Sequence, residues 1–163
     1  MVSDLVSRLA DRLFGPAPVV RRPSGEFRLA RWTVLRAGTW GVYLHRIAGS
    51  DGDAVHDHPW PFASLILWGG YWETTTRNGR TDPAATLARR WYGPGRILCR
   101  PAGRLHRVDV PPGRAAWTLF VFGRHRGTPT RFWCPRVGWT PWRPGIGEPG
   151  GCDDATTTTG ATT

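Results

Sequence analysis

Two histidines one residue apart, His56 and His58 in His56-Asp57-His58-Pro59-Trp60, are the residues best placed to do chemistry. On an extended segment side chains alternate, so both imidazoles project from one face and Asp57 from the other. Neutral imidazole is the commonest protein ligand for divalent transition metals, and the pair is half of a metal site. A third imidazole follows in Gly95-Arg96-Ile97-Leu98-Cys99-Arg100-Pro101-Ala102-Gly103-Arg104-Leu105-His106. That order reads as strand, tight turn, strand, and it returns His106 toward the interior that the pair faces.

Other side chains could assist. Glu73 is a candidate general base, or the partner behind a ligating histidine. Arg46, Arg100 and Arg104 are candidates to hold a carboxylate or phosphate, because a planar guanidinium offers two parallel hydrogen bonds. Trp60 and Phe62 are expected to line the pocket or fill the core. His45 and His125 are expected to be structural or exposed, and Cys99 to be a buried, inert thiol.

The elements that must position these groups are mostly strands. Ten Trp, 21 Gly and 15 Pro in 163 residues suit short strands and turns, which predicts an all-β barrel forming one domain. Residues 3–14 read as a helix capped by Ser3, with Leu5, Val6, Leu9 and Leu13 on a face that packs on the barrel, and Gly15-Pro16 stops it. Phe27 to Leu35 and Trp40 to Ile47 flank Ala37-Gly38 as a hairpin, and Ser64 to Thr76 alternates as one long strand carrying Glu73. Asn78-Gly79 and Asp82-Pro83 are turn signals, and Arg89 to Tyr92 re-enters the sheet. Trp117 to Gly123 is apolar enough to be buried on both faces. The chain divides into a helix and linker (1–26), a barrel (27–126), a Trp/Pro/Gly-rich strap without clear period over one barrel mouth (127–151) and a Thr-rich tail expected to be disordered (152–163).

Composition narrows the partners. The net charge is +10 and every one of the 22 basic residues is Arg, spread along the chain without a run of five. Diffuse charge of this kind fits solvated surface or an anionic small substrate better than a dedicated nucleic-acid partner. Three cysteines, Cys99, Cys134 and Cys152, with no Cys-x-x-Cys, indicate neither a disulfide scaffold nor a cysteine zinc site. No apolar run of eighteen residues and no leader pattern is present, so a cytoplasmic protein with no membrane partner is expected; a homodimer stays open.

At Gly95, five residues, Pro101-x-Gly103, two residues and His106, the sequence resembles the second motif of the cupin superfamily. His56-x-His58, three residues, Phe62, six residues and Gly69 resembles the first, and His-Asp-His-Pro-Trp with Gly-Gly-Tyr-x-Glu looks like small bacterial and phage cupins. The resemblance spans roughly residues 50 to 110 and implies a double-stranded β-helix, or jelly-roll barrel, behind the short N-terminal helix. Cupins often place a ligand glutamate where Phe62 stands, their final asparagine is Val110 here, and the glycine before the pair is displaced to Gly49 or Gly52. The resemblance therefore implies a three-histidine metal site of His56, His58 and His106.

Three neutral imidazoles leave a divalent ion its full charge and open positions. Iron(II) suits oxygen chemistry, and Zn, Ni or Mn suits Lewis-acid chemistry. Three-histidine iron cupins include dioxygenases, so a mononuclear iron(II) dioxygenase acting on a small polar or anionic molecule leads. A 2-oxoglutarate oxygenase is less favoured, because its triad needs a carboxylate at the place of His58. An isomerase or epimerase of a sugar-like substrate, with Glu73 moving a proton, and a non-catalytic metal-stiffened binding module are the alternatives.

Overall fold

The computed structural model describes residues 2–21, 25–52, 54–76, 87–134 and 138–142. The turns at Asn78-Gly79 and Asp82-Pro83 and the tail from Cys152 lie outside them.

One helix, α1 (Val2–Phe14), precedes twelve strands. These are β1 (Val19–Arg21), β2 (Phe27–Ala37), β3 (Trp40–Ile47), β4 (Val55–His56), β5 (Phe62–Trp68) and β6 (Tyr71–Thr76). They continue with β7 (Leu87–Tyr92), β8 (Ile97–Arg100), β9 (His106–Asp109), β10 (Ala116–Phe122), β11 (Arg131–Cys134) and β12 (Gly138–Pro141). Two antiparallel six-stranded sheets result, ordered β1-β2-β3-β10-β5-β8 and β12-β11-β4-β9-β6-β7. This is the expected all-β jelly-roll barrel with a short N-terminal helix.

The predicted hairpin of β2 and β3 forms, and it turns at Gly38 with φ +57°. The predicted single strand from Ser64 to Thr76 does not: the chain breaks at Gly69-Gly70 and crosses from one sheet to the other. Gly69 has φ +76°, and a Cβ there would come within 2.0 Å of the Ala115 carbonyl oxygen, so only glycine fits this corner. Alternation survives on both sides of the break, which is why sequence periodicity alone ran straight through it.

Ile66, Tyr71, Leu98, Val110 and Ala116 pack into the core beside this corner. The Trp117 strand is less enclosed than its composition predicts: Ala116, Trp117 and Thr118 are buried, but Val121 is exposed. The strap also differs. Among its described residues β11 and β12 form a hairpin, and β11 pairs with β4, setting Phe132 opposite His56.

Helix α1 packs on the outer face of the first sheet, but not through the expected stripe. Ala10 is buried with Ala30, Trp32 and Trp117, and Val6 packs beside them, whereas Leu5, Leu9 and Leu13 are 70%, 55% and 66% exposed. Two indoles decide the orientation. Trp32 and Trp117 stack at 5.5 Å, leaving room only for a small residue such as Ala10, and each indole N–H seeks an acceptor on the helix. Trp32 Nε1 donates to Asp11 Oδ1 at 2.8 Å and Trp117 Nε1 to Ser3 Oγ at 3.3 Å. Ser3 thus lies inside the helix as an acceptor for an indole and is not the cap. Gly15, at φ +81°, ends the helix as expected.

Candidate metal centre

Strand register brings the three histidines together. His56 ends β4 and stands directly opposite His106 of β9. His58 follows in the loop, where its carbonyl accepts the Gly103 N–H at 2.9 Å, tying the stretch after the pair to the Pro-x-Gly turn before His106. Ring centroids are 4.7 Å apart for His56 and His106, 5.0 Å for His56 and His58, and 5.1 Å for His58 and His106. One ring nitrogen from each lies within 4.8 Å of the others, a spacing that a single ion can bridge.

Two of the three histidines are held in the form that binds metal. Burial pushes the His56 imidazole down to about 3, and burial pushes His58 well below its ordinary value, so both are neutral near pH 7. His106 Nδ1 lies 3.2 Å from Glu73 Oε1, and a carboxylate there can only accept, so Nδ1 carries the proton. Its Nε2 is buried with no hydrogen-bond partner. An orphaned imidazole nitrogen beside two neutral imidazoles fits a divalent transition metal.

Behind the rings sit two ion pairs. Glu73 accepts from Arg100 Nε at 3.0 Å and from Arg100 Nη2. Burial alone would raise the Glu73 carboxyl, but the hydrogen bonds from His106 and Arg100 bring it down to about 2. It is therefore ionised, with both oxygens engaged. Asp51 accepts the Val108 N–H at 2.7 Å and pairs with Arg28, and its Oδ2 lies 3.9 Å from His56 Nδ1, close enough for attraction but not for a hydrogen bond. Burial would raise Asp51 as well; Arg28 and His56 outweigh it and hold the carboxyl below its usual range.

Asp57 turns away from the site, as its position between the pair requires. It clamps Arg131 of β11, accepting the backbone N–H at 2.8 Å, Nε at 3.0 Å and Nη2 at 2.5 Å. Phe62, at the sequence position where the resembling motif often has a glutamate, lies with its ring 5.4 Å from those of both His58 and His106. Trp60 stacks on His58 at 5.4 Å.

The histidines open into a cavity of about 940 Å³ between the two sheets, large enough for a small organic substrate. Trp60, Phe62 and Glu73 line it, and so does Trp142 from the strap. The three arginines singled out from the sequence do not. Arg46 points outward, over the Phe27 ring and 4.0 Å from Asp4. Arg104 is spent on Thr75 Oγ1 and the Thr76 carbonyl, both at 2.8 Å, and Arg100 on Glu73. The arginines that do line the cavity are Arg21, Arg28, Arg31, Arg36 and Arg124. Strand alternation could have found Arg31, which shares its face with Leu29 opposite outward-facing Ala30 and Trp32. His45, likewise buried, lines the cavity, and His125 lines it while exposed, near Trp60. Cys99 is exposed rather than buried, because it alternates with inward Leu98 on β8, an edge strand.

The two antiparallel sheets are similar in arrangement to those of solved structures. The polyketide cyclase RemF from Streptomyces resistomycificus aligns with a TM-score of 0.55 and 21% identity over 71% of this chain and 78% of its own. A cupin-2 domain from Rhodospirillum rubrum aligns with a TM-score of 0.52 and 17% identity over 68% of this chain and 70% of its own. The chain has the cupin fold. No family model matches the chain, and no curated protein does. At such identities the likeness establishes the barrel; what the chain does rests on its own residues.

Proposed function

We propose that the chain is a metal-dependent cupin enzyme, with mononuclear iron(II) dioxygenase chemistry on a small polar or anionic substrate as its leading activity. The observation that carries this reading is the meeting of three imidazoles at a large cavity, with His106 Nε2 buried and without a hydrogen-bond partner while its Nδ1 is held by Glu73. His56, His58 and His106 would hold the ion. A divalent metal held by these imidazole ligands would supply Lewis acidity and, were it iron, a one-electron couple.

The chain's own groups do the rest. Glu73 fixes the His106 tautomer and sets the direction of its lone pair. Phe62 and Trp60 keep an apolar wall against the ligand rings and exclude water from that side. Five lining arginines against the two carboxylates Asp51 and Glu73 favour an anionic substrate. The redox reading leads over an isomerase because Glu73, whose oxygens are both engaged, is a poor proton shuttle.

Anaerobic reconstitution with Fe(II), Zn(II), Mn(II) and Ni(II), followed by oxygen-electrode assays over a panel of small organic acids, tests the proposal. One iron per chain with substrate-dependent oxygen consumption is expected. Turnover of carbonyl substrates with a redox-inert ion and no oxygen uptake would replace the dioxygenase with the isomerase reading. Failure to take up any ion stoichiometrically would overturn both.

A further inference from the structure

The cavity contains a second polar cluster apart from the metal ligands. Arg31 of β2 stands opposite His45 of β3 in the ladder, and its Nε donates to His45 Nε2 at 3.2 Å. The guanidinium carbon lies 4.8 Å from the centroid of the Tyr43 ring. His45 is buried between Tyr43 and Phe120, with centroids at 5.7 and 4.9 Å. Phe120 stacks in turn on Phe62 at 4.9 Å, and Phe62 abuts His58 and His106. An unbroken aromatic wall therefore runs from Arg31 to the three histidines.

The charges along this wall do not balance. The two carboxylates of the cavity are committed, Asp51 to Arg28 and Glu73 to Arg100 and His106. Arg31 pairs with no carboxylate among the described residues, and its Nη1 and Nη2 meet no protein acceptor there. Burial pushes its pKa down, the mark of a cation short of a counter-charge. His45, held neutral by burial, cannot supply one. A half-buried guanidinium that lines a cavity without a carboxylate beside it is costly alone and matched by an incoming anion.

We propose that Arg31 is the anchor for the carboxylate of an aromatic acid, whose ring lies along Tyr43, His45 and Phe120 and whose far end is presented to the histidine cluster. Of the five arginines lining the cavity, Arg21, Arg36 and Arg124 are exposed and Arg28 is paired with Asp51, which leaves Arg31 as the half-buried guanidinium to match one planar monoanion, and the aromatic wall matches a flat apolar body. This substrate class rests on reading the cavity as the substrate site.

Calorimetric titration of 2-naphthoate, 2-naphthamide and 2-naphthyl phosphate into metal-loaded and metal-stripped protein, wild type and Arg31→Gln, tests it. Naphthoate is expected to bind wild type in both metal states and to weaken about tenfold or more in Arg31→Gln, with naphthamide unchanged. Arg31→Lys, which keeps the charge without the fork, should fall between; it also serves if the glutamine variant fails to fold. Naphthoate affinity unchanged in Arg31→Gln or Arg31→Lys overturns the anchor. If binding instead vanishes on stripping the metal and ignores Arg31, the anion sits on the ion, so the anchor fails while the metal reading stands. Arg31-dependent binding to a protein that never takes up metal does the reverse. Tighter, Arg31-dependent binding of the phosphate ester would overturn the carboxylate assignment.

Discussion

Glu73→Gln keeps the side chain's shape and removes its charge, so it isolates what the carboxylate does for His106. Glu73 is 1% exposed and the Arg100 side chain 15%, which makes this a nearly dry ion pair. Removing one member of a buried pair costs about 3–5 kcal/mol when the other is stranded without water. Arg100 keeps some solvent contact and the amide oxygen still accepts one hydrogen bond, so about 2–3 kcal/mol is expected for the metal-free protein, read by urea unfolding. The effect on the ion is separate. An amide can present either its oxygen or its NH₂ to His106 Nδ1, so the tautomer is no longer enforced, and loss of such a partner typically weakens metal binding about 10–100-fold. Competition against a chromophoric chelator measures that directly. In Glu73→Gln/Arg100→Met the stability should largely return, since no cation is stranded, while the weakened metal affinity persists. Metal affinity within twofold of wild type in Glu73→Gln would refute the orienting role.

Further outcomes follow from the same geometry. Burial brings His45 from its ordinary 6.5 to about 3, so the unfolded chain binds the proton first: the stability from neutral His45 is complete above pH 6.5 and is lost as the pH falls toward 3. The slope from this group reaches about 1.4 kcal/mol per pH unit, and it should be missing from urea midpoints of His45→Gln measured between pH 7.5 and 5; an identical slope would show that His45 titrates freely. Gly69→Ala should destabilise by at least about 2 kcal/mol, because positive φ and the Ala115 carbonyl both oppose a Cβ; a melting temperature equal to wild type would show that the corner relaxes. Leu9→Ser should stay within about 0.5 kcal/mol of wild type while Ala10→Asp costs several-fold more, and the opposite ranking would restore the leucine stripe as the packed face.

What could be read from the chain and what could not divides along the range of the interactions. The grouping of His56, His58 and His106 was legible because a closely spaced pair and a Pro-x-Gly turn are local devices, although β4 ends at His56 and the loop, not strand alternation, places His58. The corner at Gly69-Gly70 was hidden because alternation resumes directly after it, with the inward positions shifting from Phe62, Ser64 and Ile66 to Tyr71 and Glu73, and only the Ala115 carbonyl, distant in sequence, explains why glycine is required. Helix α1 misled for a related reason. Its leucine stripe is the stronger apolar signal, yet the stacked Trp32 and Trp117 select small Ala10 and offer N–H groups to Asp11 and Ser3. Among 22 arginines, proximity to the histidine motifs pointed to Arg46, Arg100 and Arg104. Pairing geometry instead commits Arg100 to Glu73, turns Arg46 outward and leaves Arg31, far from both motifs in sequence, facing the cavity.

X-ray absorption at the metal edge of the Zn(II)-loaded protein tests the central claim most directly, since it counts imidazoles around the ion without reference to activity. Three histidine nitrogens at about 2.0–2.1 Å, falling to two with weakened binding in His106→Ala, is the expected result. A first shell containing sulfur, or one whose imidazole count does not change when His106 is removed, would contradict it.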